Sequence, residues 1–386
     1  MRRRADDIIM SWRILGWTVL GGVALLAAIG GTWLLLLPGA PASGTAPAIS
    51  SEEAAATLAA LKPPKRKRPL IAIVGINDMT ETTDYLMPYG ILARADIADV
   101  LTLATQQGPV TLYPALKVQP HATIADFDAA HPDGADYVIV PAMSRDDDAT
   151  VLQWIRSQAG KGAIVIGVCV GATVVANTGL LDGKRATTHW YSVRDLRKHA
   201  TIRYAPDRRL VVDQGVATTT GITASMPMAL TLIEAIAGRA KAEAVARDIG
   251  LAAWDARHRS DAFSFTRPFA LTAIANTLAF WNREQLGIAL TPGIDEVSLA
   301  LIADAWSRTY RSRALTFAAT AQVQKSRGGL GILPERIAAD WPAQQTLPDT
   351  VISPPAQALD DTLRAIETRY GSRTADFVAM QLEYPR

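Results

Sequence analysis

The sequence predicts an α/β protein in which a parallel sheet is covered by helices on both faces. Three observations carry that expectation. Apolar runs of strand length stand at 70–75, 100–104, 137–140 and 163–168. Helical patterns at 85–95 and about 148–159 separate them, and strands separated by helices enter a sheet in parallel. The composition, 49% hydrophobic and 20% charged, is that of a chain that buries a core, not one that stays disordered.

Charge and cysteine content narrow the function classes. With 39 Lys and Arg against 37 Asp and Glu, the net charge of +2 gives no bulk footprint for nucleic acid. A single cysteine excludes an intrachain disulfide framework and any multi-cysteine metal site. His121, His131, His199 and His258 have no spacing that builds a metal centre, so neither metal nor cofactor is implied.

The elements are justified in chain order. Residues 1–13 carry Arg2, Arg3, Arg4 and Arg13, and 14–37 is free of charge, long enough for a ~30 Å hydrocarbon layer. No Lys or Arg follows until Lys62, and Trp12, Trp17 and Trp33 flank the run. This reads as one transmembrane helix with the N-terminus in the cytoplasm and the body exported from the inner membrane. The rival is a cleaved signal peptide with Ala40-Pro41-Ala42 as the cleavage site, although such apolar regions usually run only about 7–15 residues. Residues 38–68 form a linker containing a short Ala-rich helix at 52–61, and its basic stretch from Lys62 to Arg68 reads as solvated spacing. Asp146-Asp147-Asp148 resembles a metal cluster, but capping of the helix that follows explains it at lower cost.

The chemistry concentrates at the end of the strand around 164. Gly167-Val168-Cys169-Val170-Gly171 is the G-x-S-x-G elbow with Cys in place of Ser, between an apolar strand and a helix. Small flanking residues permit the sharp turn, and the following helix aims N–H groups at the sulfur, which favours thiolate. The alternative is a buried structural cysteine.

The segment from Val168 to Trp190, with Cys169, Gly171, Asn177 and Thr187-Thr188-His189, resembles the ThiJ/PfpI family of the class I glutamine-amidotransferase-like superfamily. It is most similar to the branch of isonitrile hydratases and the sensing domains of AraC-type regulators. Asp213 to Ser225 resembles the next family block, so the resemblance spans 69–251 and implies a flavodoxin-like fold. It nominates Asp84, four residues before Pro88, as the acid that leans on Cys169, with Glu81 in reserve, and it places His189 near the elbow. A protonated Asp84 would hydrogen-bond the thiolate or pass its proton to substrate. Otherwise either carboxylate is a helix cap, and His189 is a hydrogen-bonded core residue. Three departures qualify the carry-over. Ala142-Met143 replaces the family's Gly-Gly beside the oxyanion site, Val170 replaces the His of peptidase-like members, and Pro227 replaces a family acid.

Leu116 to Phe127 recurs as Leu330 to Trp341, with Leu, Pro, Ala and Asp at the same spacing. Strand and helix patterns at 287–290, 297–306 and 314–318, and Ile352-Ser-Pro-Pro before a helix, extend the comparison. Residues 286–386 therefore read as a degenerate, shortened second α/β copy, joined by a helical connector over 252–285 and forming an intrachain pseudo-dimer. The helix-turn-helix pair of an AraC-type regulator is not evident. The expected function is a membrane-tethered, cysteine-dependent hydratase or hydrolase acting on a small electrophilic metabolite. A ligand-binding sensor is the first alternative, and a protective protein against oxidants or reactive carbonyls is the second.

Overall fold

Apolar runs become inner strands here because their backbones satisfy each other while both side-chain faces lie under helices. The computed structural model describes residues 2–39, 44–347 and 353–385, with backbone alone at 2–16, 19 and 23. Two helices precede the body, α1 (Arg2–Leu36) and α2 (Ser51–Ala60), the second capped by Ser50. The first part of the body runs β1 (Leu70–Gly75), β2 (Asp78–Glu81), α3 (Thr82–Ala95), β3 (Asp99–Ala104), β4 (Val110–Tyr113), β5 (Lys117–Gln119), β6 (Ala122–Thr123) and α4 (Ile124–Ala130). Next come β7 (Tyr137–Val140), α5 (Ala149–Gly160), β8 (Ile164–Gly167), α6 (Gly171–Asn177), β9 (Arg185–Ala186), α7 (Val193–Leu196) and β10 (Arg203–Tyr204). The hairpin β11 (Leu210–Asp213) and β12 (Val216–Thr219) leads into α8 (Ser225–Ala237) and α9 (Arg239–Asp248). The remainder comprises α10 (Arg267–Leu278), β13 (Glu284–Ala289), α11 (Glu296–Ser307), β14 (Ser312–Ala318), β15 (Gln324–Lys325), β16 (Gly331–Leu333), β17 (Arg336–Ile337), α12 (Pro355–Tyr370) and α13 (Ser372–Gln381).

The central sheet has seven strands in the order β11-β12-β8-β7-β1-β3-β6. Its five inner strands take the doubly wound order in which ligand crevices open at the carboxyl ends on either side of the first strand. Every residue of β1, β7 and β8 is buried, as strands covered on both faces must be. The sheet is mixed, not parallel throughout as expected. Gln214 and Gly215 both have positive φ, 45° and 79°, which closes a two-residue hairpin and turns β11 antiparallel to β12. The Asp148 carboxylate accepts from the Thr150 and Val151 N–H groups at the start of α5, the capping role expected of it.

The C-terminal part is built onto the first. A five-stranded sheet, β15-β16-β5-β4-β2, draws strands from both, with β16 antiparallel to β5. The parallel sheet β13-β14-β17 stands beside it. Helix α11, buried from Glu296 to Trp306, packs on α3 and α12. Close approach of α3 and α11 requires Gly90, because a Cβ there would lie 2.6 Å from the Val297 Cγ2. Ile71, Leu86, Ile91, Val297, Leu301 and Leu363 share one apolar core. From the connector, Phe269 packs between Trp190 and Phe377, with ring centroids at 5.5 and 4.7 Å.

Two expectations about the N-terminal region change. The basic stretch from Lys62 to Arg68 is not free spacing. Arg66 pairs at 2.7 Å with Asp136, a fully buried carboxylate that also accepts from the Lys65, Arg66 and Leu70 N–H groups, and Arg68 bridges Asp96 and Asp99. Burying Asp136 requires these donors. As for the membrane span expected at 14–37, no helix among the described residues is long and apolar enough to cross a membrane. A span needs about 20 consecutive apolar residues, and side chains 14–16, 19 and 23 lie outside the described residues, as do Ala40-Pro41-Ala42 and Ile352.

Candidate active site

Three chain crossings meet at the carboxyl ends of β1, β7 and β8. Cys169 occupies the turn between β8 and α6 with φ 56°, a left-handed conformation that a non-glycine residue holds only when its surroundings enforce it. Enforcement is visible on both sides. The Cys169 N–H donates to the Thr219 hydroxyl at 3.1 Å, and the Cys169 carbonyl accepts from the Thr188 hydroxyl at 3.0 Å. Gly171 makes the elbow possible: a Cβ there would sit 2.0 Å from the Val140 carbonyl oxygen, so the first turn of α6 lies directly against the end of β7. Val170 precedes α6, and its N–H faces the Cys169 sulfur.

The two candidate carboxylates separate cleanly. Glu81 is the cap of α3, its Oε2 accepting from the Asp84 N–H at 2.6 Å and from the Thr83 hydroxyl at 2.8 Å. Asp84 is fully buried, and its Oδ2 accepts from the Ala142 N–H at 3.0 Å. Its Oδ1 has no hydrogen-bond partner. Pro88 lacks the N–H that would bond the Asp84 carbonyl, which loosens the helix turn carrying the acid. Burial, then the neighbouring charge of Glu81, push the Asp84 pKa well above the ordinary carboxylate range.

The thiol departs from expectation. Burial pushes the Cys169 pKa well above its ordinary value, and the negative charges of Asp84, Glu81 and Glu383 add to the rise. Cys169 is only 3% exposed, so desolvation outweighs the Val170 N–H that favours thiolate.

His189 is buried with both ring nitrogens engaged. Its Nδ1 accepts from the Tyr191 N–H at 3.2 Å, which fixes Nε2 as the protonated nitrogen that donates to the Gln381 carbonyl at 3.0 Å. Burial lowers its pKa, and no ring nitrogen is left for a substrate. Ala142 and Met143 are stitched to β2: the Ala142 carbonyl accepts from the Glu81 N–H at 2.8 Å, and Met143 bridges Thr80. The Ala142 N–H is committed to Asp84.

Sequence reasoning missed four contributors, three of them from the C-terminal part. The Arg308 guanidinium reaches Glu81 at 2.8 Å, and Gln381 holds His189. The Glu383 carboxylate accepts from the Trp190 and Gly221 N–H groups. Thr219, in the block 213–225, supports the cysteine backbone. No local motif marks Gln381 or Glu383. Arg308 has a signal in the internal repeat, developed below.

The DJ-1/PfpI family model matches residues 71–235. An isonitrile hydratase of Pseudomonas putida is 36% identical over 160 residues, covering 40% of this chain and 67% of that protein. The Parkinson disease protein 7 homolog of Danio rerio is 24% identical over 173 residues, covering 43% of this chain and 89% of its own. The crystal structure of Drosophila melanogaster DJ-1beta aligns with a TM-score of 0.44 at 22% identity, covering 48% of this chain and all of that one.

Proposed function

Because this chain belongs to the DJ-1/PfpI family, we propose that it is a cysteine-dependent hydratase or hydrolase acting on a small electrophilic carbon, an isonitrile being the first substrate class to test. The observation that carries this reading is the buried Asp84, its pKa pushed up by burial and its Oδ1 unpartnered, beside a cysteine held in the left-handed elbow. As sulfur bonds to the substrate carbon, Asp84 gives that carbon its proton and then takes up the proton the sulfur loses. Water adds to the resulting carbon–sulfur adduct and the thiol leaves, so the net change is addition of one water.

Turnover of isonitriles and of reactive carbonyls by the purified protein tests this reading. Cys169→Ala is expected to remove turnover by at least about 100-fold, the scale of losing covalent catalysis. Unchanged turnover in the variant would take Cys169 out of the chemistry. Tight ligand binding without turnover would favour a sensor, a reading that draws support from the sealed thiol and from His189, whose nitrogens are both occupied.

The proposal includes a membrane tether and a shortened second unit over 286–386. Supporting the tether are the uncharged run 14–37 and the exposure of Trp17, Leu20, Leu25, Leu26, Ile29, Trp33, Leu35 and Leu36. A reporter fused after Arg386 is expected to be exported, and deletion of 1–40 to release the body from membranes. Reporter activity in the cytoplasm would reverse the orientation.

A further inference from the structure

The spacing that takes Leu116 to Leu330 also takes Glu81 to Asp295, Gly90 to Asp304 and Arg94 to Arg308. Hydrogen-bond registers follow the same spacing. Val110 opposite Val118 becomes Gln324 opposite Ile332, and Leu103 opposite Ala122 becomes Phe317 opposite Arg336. Where the two parts meet, β5 and β16 pair antiparallel about Val118 and Ile332, with Lys117 opposite Leu333 and Gln119 opposite Gly331. Under this spacing each residue of β5 faces the counterpart of its mirror position, the signature of an isologous contact. Helices α3 and α11, which the spacing also equates, pack against each other.

Across this pseudo-twofold axis the ion pairs are reciprocal. Arg308 Nη2 meets Glu81 Oε1 at 2.8 Å, while Arg94 Nη2 meets Asp295 Oδ2 at 2.9 Å. The two Nε atoms are also matched: Arg94 donates to the Gly90 carbonyl at 3.0 Å, and Arg308 donates to the Asp304 carboxylate at 2.7 Å. Only one of the two pairs borders a reactive group. Glu81, gripped by Arg308, caps the helix turn that carries Asp84, whereas the elbow has no counterpart in the C-terminal part. The Arg308 carbonyl also accepts from Gln381 Nε2 at 3.1 Å, and the Gln381 carbonyl accepts from His189, so the same residue is tied to both flanks of Cys169.

We infer that residues 286–386 act as a second unit packed in cis, and that its Arg308 is a positioning residue for the Cys169–Asp84 pair. Arg308 fixes the Glu81 cap, and through it the placement of Asp84, and its guanidinium interacts electrostatically with the thiol. Arg94 is the same residue at the mirror position, where it serves assembly alone. The inference deepens the proposed function but does not depend on turnover, because thiol ionisation is read without substrate.

The test compares Arg308→Met with Arg94→Met in the full chain. Ultraviolet thiolate absorbance is followed against pH as a difference from Cys169→Ala, which is clean because the chain has one cysteine. Arg308→Met is expected to raise the midpoint by about one pH unit, a ~10-fold loss of thiolate at fixed pH, with Arg308→Lys restoring part of it. Arg94→Met should leave the midpoint unmoved, although both variants lose an equivalent interface ion pair. Equal midpoints in Arg308→Met and Arg94→Met would overturn the inference. If Arg308→Met fails to fold, Arg308→Gln and Arg94→Gln are compared by the same titration, and equal midpoints in the two would again overturn it. A shifted midpoint in a protein without turnover would keep Arg308 in place and remove the enzymatic reading.

Discussion

A chain ending at Leu251 is expected not to yield a stable monomer, although it contains the whole family-matched segment. Removing the rest uncovers the α3 face on which α11 packs and opens the edge of β5 that β16 covers. It also takes away Val297, Leu301 and Leu363 from a core shared with Ile71, Leu86 and Ile91. Each fully buried aliphatic side chain is worth about 1.5–3 kcal/mol, and a domain's net stability is only about 5–15 kcal/mol, so losing several such contacts is decisive. The site loses its supports as well: the Thr223 N–H bonds the Leu382 carbonyl at 3.2 Å, and Glu383 holds Gly221. Size-exclusion chromatography and thermal melting of residues 62–251 against 62–386 check this expectation. A monomeric 62–251 with an unchanged Tm would make the C-terminal part an independent module.

How much of this was legible in the sequence follows from the range over which each feature is determined. β1 and β7 fall on the bounds that the apolar runs gave, and the Asp148 cap was read from neighbours two and three residues away. Cys169 stood out because glycines on both sides and a strand-to-helix change mark an elbow locally. The antiparallel turn of β11 hung on two positive-φ residues, one of them the glutamine Gln214, which carries no strong turn signal. Glu81 and Asp84 both lay near a helix start, and only the three-dimensional placement of Ala142 assigned the cap to one and the buried acid to the other. Arg308, Gln381 and Glu383 bond residues of the site that lie 162–227 positions away in the chain, where local pattern carries no information about contact. Desolvation is equally invisible locally, which is why an elbow that suggested an acidic thiol lies in surroundings that push the Cys169 pKa up.

That last difference yields an expected result of opposite sign to the sequence reading. Cys169 should ionise above the ~8.5 of a free thiol, since burial and the Asp84, Glu81 and Glu383 charges all disfavour the thiolate. Asp84→Asn keeps a hydrogen-bond donor but cannot become an anion at the alkaline pH where the thiol titrates, so the midpoint should move down, by about one pH unit or more. The same substitution reports on stability. A folded pKa raised above the unfolded ~3.9 means that the native state holds a proton the unfolded chain has lost, so stability falls as pH rises through that window. Asparagine has no proton to lose. The Tm of Asp84→Asn is therefore expected to exceed wild type at pH 7, with the gap closing towards pH 4, while turnover drops because the relay proton is gone. Thermal melts across that range, paired with the thiolate titration, check both halves. A wild-type thiol that titrates at ~8.5 or below, and a variant no more stable at pH 7 than at pH 4, would mean that the site is wetter and less strained than its burial implies.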